Sequence, residues 1–340
     1  MPIRIKKLIK KVKRNFFKNP LDILITLTIS SAFVSASLNI LNWLIRTANW
    51  SVISNNFGLY FYGSYPANEE WRVLLWISFI FLTSFLTLFS IRSTFLRKAL
   101  PYIWVLLIPI GIYLLSGGFG LNHVPTTNWG GLSLTLILTF CSASLSLPIG
   151  ILLAIGRQSK MRLINSFCRL YIDIMRSLPL ISILFFGQLL IPLFLPIDIE
   201  INRFIRASLA FGLFTAAYVA EDVRGGLQSI EPTQYEAAKV LGLNSRQILQ
   251  LVIIPQALKT ALPALTNQAI GLLQNTSLMS LLGLVELLGI SRSILANPQF
   301  IGRYLEVYVW LAVVYWFMCT VIALLSRHIE KQISPANSPY

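Results

Sequence analysis

Eight polar side chains interrupt apolar runs in the second half of this 340-residue chain: Gln188, Asn267, Gln268, Gln274, Asn275, Thr276, Ser277 and Glu286. Amides and hydroxyls in such a setting can line the route of a polar solute or bridge one helix to another. Bond-breaking chemistry is poorly served. No paired Asp, and no Ser with His, stands in the apolar segments of the second half. His123 and His328 are far apart, and neither has a local set of carboxylates and cysteines to hold a metal. Cys141, Cys168 and Cys319 have no metal or disulfide spacing and read as small core residues. No Gly-x-x-x-x-Gly-Lys-Ser/Thr loop occurs. Leu115-Ser116-Gly117-Gly118 imitates an ATPase signature but sits at the end of an apolar run, where it reads as a helix-ending turn.

A second constellation is mechanical rather than chemical. Residues 221–260 form the one sizeable polar loop between the later apolar runs. Thr233-x-x-Glu236 is a capping-box spacing, so a helix is expected from Thr233 through Ala237, Ala238, Lys239 and Val240, ending at Gly242. Asn244 should cap a second helix over 247–254, which Pro255 should end or kink. Two short helices joined at a glycine make a rigid elbow. Tyr235, Val240, Leu241 and Leu243 would then offer apolar groups to a partner's groove.

The elements that must position these residues follow from composition. Hydrophobic residues are 55% of the chain, charged residues 12%, and mean hydropathy is +0.69. A soluble domain carries about twice that charge. The apolar residues fall in runs long enough to cross a bilayer as helix, near 21–45, 71–91, 100–116, 130–155, 177–195, 204–220, 261–287 and 304–326. An all-α, polytopic bundle of about eight spans is expected. The chain divides into a basic leader (1–20), an accessory segment of three spans (21–120), a five-span core (125–330) and a short tail (331–340). The core spans carry Pro148, Gly150, Pro179, Gly187, Pro192, Pro263 and Gly271, and broken helices at membrane depth belong against protein or a wet path. The stretch 46–70 reads as a loosely ordered polar loop.

Net charge is +15, with 28 Lys and Arg against 13 Asp and Glu. With eight alternating spans, 22 of the 28 cations fall on the side that holds both termini and 6 on the other. That bias puts both ends, and the 221–260 loop, in the cytoplasm. It also accounts for the basicity without nucleic acid. The leader itself suits anionic lipid. Glu221, Asp222, Arg176 and Arg224, near the cytoplasmic edge, are expected to form ion pairs between helices.

Glu236-Ala237-Ala238, Gly242 and Val252-Ile253-Ile254-Pro255 resemble the EAA loop of ABC importer permeases. Further segments are similar to the histidine/glutamine type of polar amino-acid permeases. They are Tyr218 to Ile230 (YVAEDVRGGLQSI), Leu251 to Pro263 (LVIIPQALKTALP), Thr276-Ser277-Leu278, Gly130 to Leu136 (GGLSLTL) and Met175 to Leu180 (MRSLPL). The resemblance covers about 125–330, and the extra spans resemble the larger general L-amino-acid permeases for glutamate, aspartate and glutamine. It implies a type I importer core in a bacterial plasma (inner) membrane. Its coupling elbow, with Tyr235, Glu236, Ala237, Ala238, Leu241 and Gly242, would dock on separate ATPase subunits that hold ATP and Mg. It also implies a sister permease or second copy, an external amino-acid-binding protein, and no cofactor on this chain. Three positions depart from the family pattern: Ser177 replaces a glycine, Gln274-Asn275 replaces Lys-Asp, and Glu231-Pro232-Thr233 replaces Pro-Lys-Gly.

Other functions make different demands. A secondary transporter or channel for small polar solutes would show inverted repeats and ionisable groups deep in its spans. No convincing repeat is present, and Asp22 and Glu286 are the only such candidates.

Overall fold

A computed structural model describes residue 16 and residues 19–90, 93–196 and 199–333. The basic leader lies outside the described residues apart from 16, 19 and 20, as does the tail beyond 333. The described residues are helical, with no strand beyond isolated bridges. Contacts separate a unit ending at Val52 from one beginning at Ile53. The first holds α1 (Pro20–Asn42), which runs on through a π-turn to Thr47. None of its residues is buried.

The second unit holds α2 (Glu70–Phe89), α3 (Thr94–Ser116), α4 (Gly131–Arg157), α5 (Arg162–Ser177), α6 (Leu180–Phe185), α7 (Arg203–Gln228), α8 (Pro232–Val240), α9 (Ile254–Asn275), α10 (Leu287–Leu295) and α11 (Tyr304–Ile333). Among the described residues, seven helices are long and apolar enough to cross a membrane, one in the first unit and six in the second. The eighth expected span is not a straight helix. Arg162–Ser177 and Leu180–Phe194 meet at 105°. Pro179 drives this bend, because its ring holds Leu178 in extended backbone (ψ 142°) and ends α5. After α6 the chain continues as a π-turn, Phe186–Leu190, and a 3-10 turn, Ile191–Phe194. Helix α5 buries Cys168 and Ile172 and exposes Leu163, Phe167 and Leu170.

Helix α7 is the spine of this unit. It packs against α4 and α9 at points where a side chain would not fit. A Cβ at Gly150 would stand 2.4 Å from Val219, and one at Gly226 would stand 2.3 Å from the carbonyl oxygen of Ala257. Such small-residue contacts let backbones approach and gather dispersion energy where lipid removes the hydrophobic drive.

Three expectations need correction here. Pro255 does not end its helix. Helical backbone continues from Ser245 to Leu282, 38 residues, through a wider π-turn at Ile248–Ile253 that precedes α9 and makes room for the proline ring, and ends in a 3-10 turn. Glu286 is not within that span. It follows the left-handed Gly283 and starts α10. The 46–70 stretch is not loose over 53–70. Tyr60 and Tyr65 are buried, and the Tyr65 hydroxyl donates to the Leu115 carbonyl at 2.8 Å. Arg72, 1% exposed, pairs with Glu69 at 2.6 Å and donates to the Asn122 carbonyl at 2.9 Å. Gly117, with φ 78°, ends α3 as the turn expected there.

Candidate functional site

A cavity of about 390 Å³ lies between the α5–α6 bend, α7 and α9. Leu178 and Pro179 enter from the bend, Thr215 and Tyr218 from α7, and Gln268 and Asn275 from α9. The bend exists because of Pro179, and Gly271 keeps the α9 wall low between its two amides. No charged side chain lines it. Neutral amide, hydroxyl and phenol groups can hold the polar ends of a small solute by hydrogen bonds and release it again.

Of the eight polar residues singled out in the sequence, Gln268 and Asn275 reach this cavity. Gln188 is buried and spends its amide on the fold: its Nε2 donates to the Arg203 carbonyl at 2.8 Å. Gln274 turns toward α11, with Nε2 3.7 Å from the Cys319 sulfur. Thr276 is buried and donates to the Leu273 carbonyl at 2.7 Å, and Ser277 donates to the Gln274 carbonyl at 2.8 Å. Asn267 is exposed and does not line the cavity. Glu286 is fully buried as the N-cap of α10, where its carboxylate accepts from Leu288 N at 2.8 Å and Gly289 N at 3.0 Å. Burial pushes the Glu286 carboxyl up to about 7 despite those donors. Tyr218 and Thr215 were missed. Tyr218 opens the quoted YVAEDVRGG segment, but neither residue was singled out within the apolar run 204–220 that holds them.

The end of the cavity nearest Glu221 is tied by charge. Glu221 on α7 accepts from Arg224 at 2.9 Å, pairs with Arg176 of α5 at 3.3 Å, and pairs closely with Arg157 of α4. Arg176 also lies over the Tyr218 ring, 5.6 Å from its centroid. The expected ion pairing between helices is present for Glu221 with Arg176, and Arg157 adds to it; Arg224 pairs with Glu221 within α7, and among the described residues Asp222 forms no ion pair.

The elbow follows at once from the end of α7. Pro232 takes the first helical position and Glu231 the cap position, so Thr233 falls inside α8 and its capping box does not form. The Thr233 hydroxyl instead meets the Glu231 carboxylate at 3.3 Å. Gly242 does end the helix, at φ 81°. Leu243 N donates to the Ala238 carbonyl and Gly242 N to the Lys239 carbonyl, the paired bonds of a Schellman turn. Asn244 caps the next helix in a reciprocal box with Gln247, at 2.9 and 3.0 Å.

Burial divides the elbow residues into two sets. Tyr235, Glu236, Ala237, Leu241 and Gly242 are exposed, Leu241 by 80%. Ala238 is 3% exposed and cannot be a partner contact. It packs with Ile248, Val223 and Leu227 in a cluster that also takes Ala154 of α4 and Ile172 of α5. The outer face of the elbow is thus free while its inner face is locked to three other helices. Among the described residues, no group of three or more His, Cys, Asp or Glu could hold a metal.

Comparison with known proteins agrees with this arrangement. The family described as "Binding-protein-dependent transport system inner membrane component" matches residues 146–335. The chain is 35% identical to the inner membrane amino-acid ABC transporter permease protein YhdY of Escherichia coli, over 97% of this chain and 94% of that protein. It is 37% identical to the glutamate/glutamine/aspartate/asparagine transport system permease protein BztC of Rhodobacter capsulatus, over 63% of this chain and 49% of that one. The crystal structure of an amino acid ABC transporter with histidines shares 31% identity at a TM-score of 0.54, covering 60% of this chain and 92% of its own. An uninterrupted family match over more than half the chain, on a multi-pass helical bundle with a neutral polar cavity and a locked elbow, makes this chain a member of the binding-protein-dependent transport system inner membrane component family.

Proposed function

We propose that the chain is the permease subunit of an ATP-driven importer for polar L-amino acids. The observation that carries this reading is the uncharged, amide-lined cavity at the bend, joined through α7 to an elbow whose outer face is open. ATP and Mg belong to separate ATPase subunits. These subunits grip Tyr235, Glu236, Ala237, Leu241 and Gly242. A sister permease or second copy closes the path, and an external binding protein delivers the amino acid. Both termini are cytoplasmic, which puts the elbow on the side of the ATPase.

The coupling is two-state. ATP favours one arrangement of the ATPase pair, and the elbow transmits that bias because Ala238 and Ile248 are built into the same cluster as α7. Moving the elbow moves the helix that presents Thr215 and Tyr218. Gln268 and Asn275 supply hydrogen bonds to the solute from the facing helix.

The complex rebuilt in vesicles should take up labelled glutamate, glutamine, arginine or histidine only with ATP and the binding protein. Asn275→Ala should lower uptake about tenfold, the loss of one hydrogen bond of about 1.4 kcal/mol, without changing the melting temperature, whereas Gln268→Ala should lower both, because Gln268 also bonds to Asp222. Leu241→Ser should release the ATPase on purification. ATP-independent uptake, or no uptake of any of the four, would refute the reading.

A further inference from the structure

A second cavity, of about 400 Å³, lies on the other side of α9. Its walls come from α2, α3, α4, α7, α9 and α11, and include Trp104, Phe140, Ala143, Ala269, Met318 and Ile329. At about 30 Å³ each it would hold about a dozen waters. Those waters would find few partners. The wall hydroxyls of Ser84, Thr139 and Thr266 already donate to their own helices, at 2.8, 2.7 and 2.9 Å. An apolar molecule is the stable occupant, and at the depth of membrane-spanning helices the abundant one is an acyl chain.

Around one end of this cavity cations outnumber the one acid, Glu330, whose carboxylate accepts from the wall residue Ser326 at 3.1 Å. Helical register carries the α9 wall from Leu262 one turn back to Lys259, and the α3 wall from Trp104 two turns back to Arg97. Among the described residues, neither cation has a carboxylate within ion-pairing distance. His328 adjoins the cavity-lining Ile329, and its buried Nε2 has no hydrogen-bond partner. At this end Gln332 Nε2 donates to the Ser90 hydroxyl at 2.6 Å, bracing α11 against α2. Cations and an unused imidazole nitrogen at the mouth of a dry slot match a phosphate head on an acyl tail.

We infer that this cavity is a binding site for one anionic phospholipid, its tail among Trp104, Ala143 and Ala269 and its phosphate held by Arg97 and Lys259. The site touches transport directly. Thr215, Gln268 and Leu272 line both this cavity and the one at the bend, so the tail braces the back of the wall that faces the solute. The inference rests on the placement of these helices in a bilayer and stands apart from the amino-acid reading.

Native mass spectrometry of the purified complex, exchanged into equal phosphatidylglycerol and phosphatidylcholine, tests it. One phosphatidylglycerol per chain should remain bound, favoured about tenfold. Ala143→Trp should abolish retention, while Leu152→Trp, at a site 68% exposed, should not. Arg97→Gln with Lys259→Gln should leave a lipid bound but erase the headgroup preference. These two changes lie outside the packed walls, so they decide the matter even if Ala143→Trp fails to assemble. No retained lipid, equal binding of both lipids by the unaltered chain, or cross-linking of Ala143→Cys to another polypeptide would overturn the assignment.

Discussion

Replacing Glu221 with Gln should loosen the base of the bundle more than any other single loss of charge. Its carboxylate is shared by Arg157, Arg176 and Arg224, from three helices. Side-chain exposure is 15% for Glu221 and 21, 41 and 28% for the three arginines, so the group is partly wet. Each pair is worth about 4 kcal/mol by Coulomb's law at an effective dielectric near 20. Desolvation and screening reduce the net effect to about 1–3 kcal/mol, with Arg176, the most exposed, giving least. Gln keeps the shape but leaves three guanidinium groups facing one another. The melting temperature of the detergent-solubilised protein should fall by about 1–4 °C. A double-mutant cycle with Arg157→Gln should show about 1 kcal/mol or more of coupling. Because Arg176 lies over Tyr218, uptake should fall further than stability does. Additive effects in the cycle, or an unchanged melting temperature, would show that the cluster is solvated charge and refute the reasoning.

Other expectations concern packing and titration. Gly226→Ala puts a Cβ 2.3 Å from the Ala257 carbonyl oxygen and should destabilise by about 1–3 kcal/mol, whereas Gly225→Ala meets nothing within 4 Å and should be silent in thermal melts. Gly242→Ala meets no atom but must hold φ 81°, so it should cost about 1 kcal/mol and weaken ATPase retention without unfolding the bundle. Glu286, raised in the folded state from 4.5 to about 7, favours the protonated form. Stability should therefore be greatest below its ordinary value and decline as pH rises from about 5 to about 7. Glu286→Gln should flatten that slope, and a pH series of melting temperatures, read as the difference between the two proteins, checks it.

Much of this protein was written in its sequence. Bilayer length, cation asymmetry and the spacing from Glu236 to Pro255 each depend on composition and local order, which a chain carries before it folds. The Gly242 stop and the Asn244 cap are equally local: one needs a left-handed residue, the other a short side-chain acceptor. Thr233 failed as a cap because Pro232 claimed the first helical position, a contest between neighbours with two legal outcomes. The rest required three dimensions. Which amides face a solute depends on helix rotation: packing against α11 and α7 turned Gln274 and Gln188 away, left Asn275 at the cavity, and let Gln268 reach it while also bonding to Asp222. Pro255 became an interior residue because a π-turn several residues earlier made room for it. Glu286 looked like a polar group in a span; a left-handed turn at Gly283 carried it out to cap another helix. Side-chain type is set along the chain, but its direction is set by what the helix must bury.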